Sequence, residues 1–138
     1  MSYLLDTNVI SELRKRERGH PSVIRWAASV DPVSLFTSVL VIGEIRRGIE
    51  LKRRTDTAQA IALEVWFDRM RLSLAGRIIA VDERIADAWG RLGVPDAVPA
   101  VDGLLAATAL VHDLTVVSRN VSDLRRTTAR VLNPFSRP

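Results

Sequence analysis

The sequence predicts an α/β fold in which helices cover a central parallel sheet. Short apolar runs alternate with longer segments whose apolar residues recur at helical spacing. The chain has 138 residues, of which 47% are hydrophobic, and this suits one domain with a genuine core. It shows no internal repeat, low-complexity tract or linker. We therefore predict a single domain over residues 1–138.

The predicted strands are apolar runs of three or four residues, each followed by a turn or a helical pattern. They span residues 3–5, 35–37, 78–81, 115–117 and 130–132. Since helical segments separate most of them, the strands are expected to pair in parallel.

The predicted helices begin at residues that favour helix starts and continue with apolar residues at helical spacing. The predicted starts are Thr7 or Asn8, Pro21, Ser38, Thr55 or Asp56, and Asp82. A loop rich in proline and glycine over 93–99 precedes a strongly apolar helix over 101–111. A short turn or helix is expected around Asp123.

The composition excludes several classes of site. The chain has no cysteine, so disulfides, zinc–thiolate sites and cysteine nucleophiles are ruled out. No apolar segment is long enough to cross a membrane, and the N-terminus lacks the pattern of a signal peptide. We expect a soluble, cytoplasmic protein.

The charge balance favours a polyanionic partner. The net charge is +4 and the sequence pI is about 10.6. Arginine, whose planar fork suits phosphate oxygens, supplies most of the positive charge and occurs in pairs. The pairs are Arg46-Arg47, Arg53-Arg54 and Arg125-Arg126. The alternative is that these arginines form an ordinary solvated surface.

Four acidic residues are predicted to meet at the carboxyl edge of the sheet, where α/β proteins bind ligands. Asp6 directly follows the first strand, and Asp123 follows the fourth. Asp102 falls in the first turn of the apolar helix, and Glu44 lies within the helix after the second strand. Converging carboxylates repel one another unless a cation lies between them. A hard cation with oxygen ligands, Mg²⁺ or Mn²⁺, meets this requirement.

Each acid also has a purely structural interpretation. Asp6 could cap a helix, and Asp102 could complement a helix dipole. Glu44 could pair with an arginine of its own helix, Arg46 or Arg47. Asp123 could be a turn residue or the ion-pair partner of Arg126.

Other chemistries are poorly supported. A metal-free ribonuclease commonly needs two histidines, and the chain has only His20, in a turn, and His112, at the far end of the helix that begins near Asp102. No nucleophile elbow, P-loop or dinucleotide fingerprint is present. A phosphoacceptor receiver domain would need a lysine after a late strand, and none follows Lys52.

Four segments, in order along nearly the whole chain, resemble the motifs of PIN-domain toxins of the VapC family, especially the FitB-like branch. They read LDTNVISEL over 5–13, EIRRGI over 44–49, VDGLLAATA over 101–109 and TVVSRNVSD over 115–123. The closing LNPF over 132–135 is similar to the family's usual end. The departures are Gly103, where alanine is more frequent, Leu124 in place of phenylalanine, and a short loop before Asp102.

The resemblance implies a PIN-like α/β/α sandwich, Mg²⁺-dependent RNA cleavage, a homodimer and inhibition by a VapB antitoxin. It implies that the metal site is formed by the matching acids, Asp6, Glu44, Asp102 and Asp123. Supporting roles fall to Thr7, Asn8, Ser118 and Asn120.

The main hypothesis is therefore a toxin endoribonuclease. Asp6, Glu44 and Asp102 would hold Mg²⁺, or Mn²⁺ as an alternative, and Asp123 would complete the site or bind a second ion. The RNA backbone would be held by Arg46, Arg47, Arg125 and Arg126. Two alternatives remain: a non-catalytic module of the same fold that binds nucleic acid or protein, and a nuclease directed at DNA.

Overall fold

A five-stranded parallel sheet forms the centre of the computed structural model, which describes residues 1–136. The strands are β1 (Tyr3–Leu5), β2 (Leu35–Ser38), β3 (Ile78–Ile79), β4 (Thr115–Val117) and β5 (Val131–Leu132). Their order in the sheet is β3-β2-β1-β4-β5, and every neighbouring pair is parallel. The predicted single domain over 1–138 includes Arg137 and Pro138, which lie outside the described residues, and it stays a prediction.

Seven helices connect the strands within residues 1–136. They are α1 (Thr7–Arg14), α2 (Pro21–Ala28), α3 (Val39–Arg53), α4 (Thr57–Ser73), α5 (Glu83–Leu92), α6 (Ala100–His112) and α7 (Val121–Leu124). Two short 3₁₀ turns, Arg16–Arg18 and Pro32–Ser34, add to these. No helix of this part of the chain has the length and apolar character needed to span a bilayer.

Most helix starts follow from side-chain capping. The Ser38 hydroxyl accepts a hydrogen bond from the Leu40 amide at 3.1 Å, and Asp56 and Asp82 cap α4 and α5 in the same way, as predicted. The predicted cap of α1, Thr7 or Asn8, is wrong. Asp6 caps it, because its extended backbone lets Oδ1 accept the Thr7 amide proton at 2.7 Å.

Two strands are shorter than predicted. β3 ends at Ile79 and not at residue 81, because its neighbour β2 turns into α3 after Ser38 and leaves nothing to pair with. Ala80 and Val81 are accordingly exposed. β5 begins one residue later than predicted, while β4 has the predicted bounds.

The core lies on both faces of the central strands. Leu4 and Val116 are fully buried within the sheet, and Val41 and Leu105 are fully buried on the helices that cover it. Thr37, also fully buried, donates its hydroxyl proton to the Leu5 carbonyl at 2.9 Å. This side-chain bond fastens β2 to β1 at the edge where the acidic residues lie.

The strand order places a topological switch between β1 and β4. The chain moves outward from β1 through β2 to β3, then returns to the centre at β4 and moves outward to β5. With right-handed crossovers, this reversal places α1 to α4 on one face and α5 to α7 on the other. The result is the predicted α/β/α sandwich, with a crevice at the carboxyl ends of β1 and β4.

Candidate active site

An acidic pocket occupies the crevice between β1 and β4. Its volume is about 570 Å³. It is lined by Asp6, Thr7, Asn8, Glu44, Pro99, Ala100, Val101, Asp102 and Asn120. The structure thus brings together three of the four predicted acids with three of the predicted supporting residues.

Asp6 is held in one orientation at the end of β1. Only 7% of the residue is exposed. Its Oδ1 accepts from the Thr7 amide and its Oδ2 accepts from the Ser118 hydroxyl, each at 2.7 Å. Because a carboxylate offers about four acceptor positions, both oxygens keep capacity for another ligand.

Asp102 lies in the first turn of α6 and is 9% exposed. Its Oδ2 accepts from the Asn120 side-chain amide at 2.7 Å. Burial raises the pKa of Asp102, and the negative charges of Asp6, Asp123 and Glu44 raise it further, against the lowering effect of the Asn120 hydrogen bond. Asp102 therefore lies close enough to each of the other three predicted acids to feel its negative charge.

Glu44 reaches the pocket from α3. Its Oε1 accepts from the Thr7 hydroxyl at 2.7 Å. The alternative pairing with Arg46 or Arg47 is not formed among the described residues. Thr7, at the junction of β1 and α1, therefore fixes Glu44 beside Asp6. Along the chain, 37 positions separate Thr7 from Glu44.

Asp123 is set back from the pocket. It lies on α7 and forms an ion pair with Arg126 at 3.4 Å, which is the structural interpretation considered for it. Its charge still acts on Asp102. A direct role for Asp123 in the site stays a prediction.

Ser118 and Asn8 connect the two central strands beneath the acids. The buried Ser118 hydroxyl donates to Asp6 and accepts from the Asn120 amide at 3.0 Å and the Asn8 side-chain amide at 3.4 Å. Asn8 Oδ1 in turn accepts from the Arg119 amide at 3.1 Å. A hydroxyl has one donor and two acceptor positions, so all the hydrogen-bonding capacity of Ser118 is taken up. The hydroxyl therefore keeps one orientation, with its proton directed at Asp6.

The donor set fits a hard divalent cation. The ionisable groups are carboxylates, and oxygen ligands without sulfur or imidazole suit Mg²⁺ or Mn²⁺. The repulsion that raises the pKa of Asp102 is what a cation would relieve. Within residues 1–136, however, no three Asp, Glu or His side chains stand as a ready-made ion site. The carboxylates instead satisfy their oxygens with Thr7, Ser118 and Asn120.

Of the four arginines predicted to bind RNA, two are paired with carboxylates and, within residues 1–136, two have guanidinium groups free to contact a phosphate. Arg46 forms ion pairs with Glu50 at 3.1 Å and Glu64 at 2.6 Å, and it lies over the Phe67 ring. Arg126 is engaged with Asp123 and donates to the Ala97 carbonyl. Across the described residues, Arg47 and Arg125 are exposed and have no ion-pair partner. The RNA-binding assignment stays a prediction, and Arg47 and Arg125 are the members free to serve it.

Sequence reasoning missed the pocket wall formed by Pro99, Ala100 and Val101. A weak signal existed, because a proline closes the 93–99 loop and directly precedes α6. The structure also accounts for Gly103. A Cβ there would lie 3.0 Å from Cδ1 and 3.1 Å from Nε1 of Trp89, so a larger residue would press on the indole.

The doubly wound sheet and the carboxylates at its switch point define an α/β protein with an acidic ligand pocket. Compared with models of known families, residues 3–129 match the PIN domain. Toxin FitB of Neisseria gonorrhoeae is 30% identical over 141 aligned residues, which cover 96% of this chain and 97% of FitB. The chain therefore belongs to the PIN-domain family, in the branch of the VapC and FitB toxins.

Two further comparisons agree. Ribonuclease VapC14 of Mycobacterium tuberculosis is 47% identical over 68 residues, which cover 49% of this chain and 65% of that relative. A solved structure of FitAB bound to a DNA fragment superimposes with a TM-score of 0.87 at 29% identity, covering 99% of this chain and 97% of the other.

Proposed function

We propose that this chain is a divalent-metal-dependent endoribonuclease and the toxin of a VapBC-type toxin–antitoxin pair. The observation that carries the proposal is the convergence of Asp6, Glu44 and Asp102 on one pocket, with Asp123 close behind. The relatives named VapC14 ribonuclease and FitB toxin support the substrate class and the biological role.

Asp6, Glu44 and Asp102 would hold Mg²⁺ or Mn²⁺, and Asp123 would complete the site or serve a second ion. When bound, such an ion supplies Lewis-acid polarisation of a phosphodiester and lowers the pKa of an attacking water.

The chain's own residues position these ligands. Ser118 and the Thr7 amide fix the two oxygens of Asp6, the Thr7 hydroxyl holds Glu44, and Asn120 holds Asp102. Burial of Asp6 and Asp102 lowers the local dielectric constant, which strengthens their interaction with a cation. Exposed arginines, Arg47 and Arg125 among them, would offset the repulsion between an acidic pocket and an anionic RNA.

The proposed partner is a small VapB-type antitoxin. FitB is similar to this chain over nearly its full length, and a structure of the FitAB complex bound to DNA has been solved. We also propose a homodimer and a cytoplasmic location, as the family resemblance implies.

The test is a comparison of two labelled oligonucleotides of one sequence, one RNA and one DNA, incubated with purified protein in Mg²⁺, Mn²⁺ or EDTA. We expect cleavage of the RNA with either metal, loss of cleavage in EDTA and recovery when Mg²⁺ is restored in excess.

The two alternative functions give different results in the same assay. A nuclease directed at DNA would cut the DNA strand at least as fast as the RNA strand. A binding module would retain either strand in a gel-shift assay without cutting it in any metal. Cleavage that continues unchanged in EDTA would contradict the metal-dependent mechanism.

A further inference from the structure

Arg119 is stacked on an aromatic ring at the C-terminal end of the described chain. Its guanidinium carbon lies 3.8 Å from the centroid of the Phe135 ring. Phe135 also contacts the His20 ring in a T-shaped arrangement, with ring centroids 5.2 Å apart. The turn that delivers Phe135 is fixed by its own amide, which donates to Asn133 Oδ1 at 2.9 Å. Arg119 is therefore held in place without a carboxylate.

The N–H groups of the Arg119 guanidinium remain unused. In the described part of the chain, its side chain forms no ion pair or hydrogen bond. The nearby carboxylate of Glu12 is occupied, because it accepts from Lys15 at 2.7 Å and from the His20 amide at 3.0 Å. An arginine that stacks with its face keeps its planar fork of donors available at the edge.

The position of Arg119 ties it to the acidic pocket. It lies between Ser118, which orients Asp6, and Asn120, which lines the pocket. Its own amide donates to Asn8, another lining residue. The backbone of Arg119 is thus fixed beside two residues that line the pocket, Asn8 and Asn120, while its side chain turns to Phe135.

We propose that Arg119 binds a phosphate of the RNA backbone where the strand passes beside the acidic pocket, and that Phe135 positions it for this contact. The inference rests on the proposed ribonuclease function. An acidic pocket repels a polyanion, so a cation on a neighbouring segment helps to hold the RNA strand close to it. Arg119 suits this purpose better than Arg46 or Arg126, whose guanidinium groups are engaged by carboxylates. The stack on Phe135 also reduces the side-chain entropy lost when a phosphate binds.

The test measures binding of a fluorescein-labelled single-stranded RNA by anisotropy between 50 and 200 mM salt, roughly the range over which phosphate contacts weaken strongly. All proteins carry Asp6→Asn so that the RNA is not cut. The variants added to this parent are Arg119→Ala, Arg119→Lys and Phe135→Leu. The matched control is Arg54→Ala, because Arg54 is exposed, has no ion-pair partner in residues 1–136 and lies about 15 Å along α3 from Glu44.

We expect Arg119→Ala to flatten the log–log salt slope by about 0.7, the value for one phosphate contact on a single strand. At low salt its affinity should fall about 5- to 20-fold, as for loss of one partly exposed charged hydrogen bond. Arg119→Lys, which keeps the charge without the planar fork, and Phe135→Leu, which removes the stack, should each give a smaller loss in the same direction. Arg54→Ala should match the parent.

Two results would overturn the proposal while leaving the ribonuclease function intact. The first is an unchanged salt slope in Arg119→Ala, with Phe135→Leu lowering only the melting temperature; the stack would then serve only to anchor the C-terminus. The second is normal RNA binding by Arg119→Ala in the Asp6→Asn parent, together with loss of inhibition by the antitoxin when Arg119→Ala is made alone in the wild type; the arginine would then contact a protein. Failure of the proposed function is distinguishable from both, because the wild type would then not cleave RNA in Mg²⁺ or Mn²⁺.

Discussion

Replacing Asp6 by asparagine should lower the rate of RNA cleavage by at least about 100-fold, more than the effect typical of residues that only orient a metal ligand. The substitution removes one negative charge from the acidic pocket while keeping the shape of the side chain. Asparagine Oδ1 can still accept from the Thr7 amide, so α1 keeps its cap. The measurement is the initial rate of cleavage in saturating Mg²⁺, with circular dichroism and a melting curve to establish that the variant is folded.

The matched control for this prediction is Asp68→Asn, which removes the same charge from an exposed position on α4 outside the acidic pocket. It should cleave RNA at the wild-type rate. A small loss of stability is expected in Asp6→Asn alone, since its amide would face the Ser118 hydroxyl, which already accepts two hydrogen bonds. Full cleavage by a folded Asp6→Asn protein would remove Asp6 from the site.

Expression of the chain alone should stop bacterial growth. This expectation follows from membership of the VapC and FitB branch together with the proposed cleavage of RNA. Growth should resume when the gene for the antitoxin is expressed from a second plasmid. The readout is optical density and viable count after induction, with the level of soluble protein measured in each culture.

The Asp6→Asn variant separates toxicity from the burden of overproduction. Cells that produce it at the same level should grow as the uninduced culture does. Unimpaired growth with abundant soluble wild-type protein would contradict the toxin assignment. Arrest by both proteins alike would show that growth inhibition does not come from the acidic pocket.

The parts of the fold predicted well are those determined by local sequence. Ser38, Asp56 and Asp82 cap the helices predicted for them, because capping depends on a side chain and amides only two or three residues away. The bounds of β4 are predicted correctly, because Asp113 ends the preceding helix and the polar Ser118 ends the apolar run. The end of β3 was missed because it depends on where the neighbouring strand β2 stops, which no local pattern records.

In the candidate site, too, local sequence predicts some features, while others depend on contacts between distant segments. The edge position of Asp6 and Asp102 followed from strand order and helix starts, and the family resemblance supplied Thr7, Ser118 and Asn120. The ion pair between Arg46 and Glu64 was not predictable from spacing, because Glu64 belongs to α4 and Arg46 to α3. The stack of Arg119 on Phe135 likewise joins residues 16 positions apart through the fold of the C-terminal segment.

The most direct test of the acidic pocket is titration calorimetry of Mn²⁺ into the metal-free wild type and into Asp102→Asn. The variant should stay folded, because asparagine can still accept from Asn120 and no longer suffers repulsion from Asp6, Glu44 and Asp123. We expect saturable Mn²⁺ binding by the wild type and affinity at least about 10-fold weaker in the variant, as for loss of a charged ligand. Equal Mn²⁺ affinity in the two proteins would contradict the assignment of these carboxylates as the metal site.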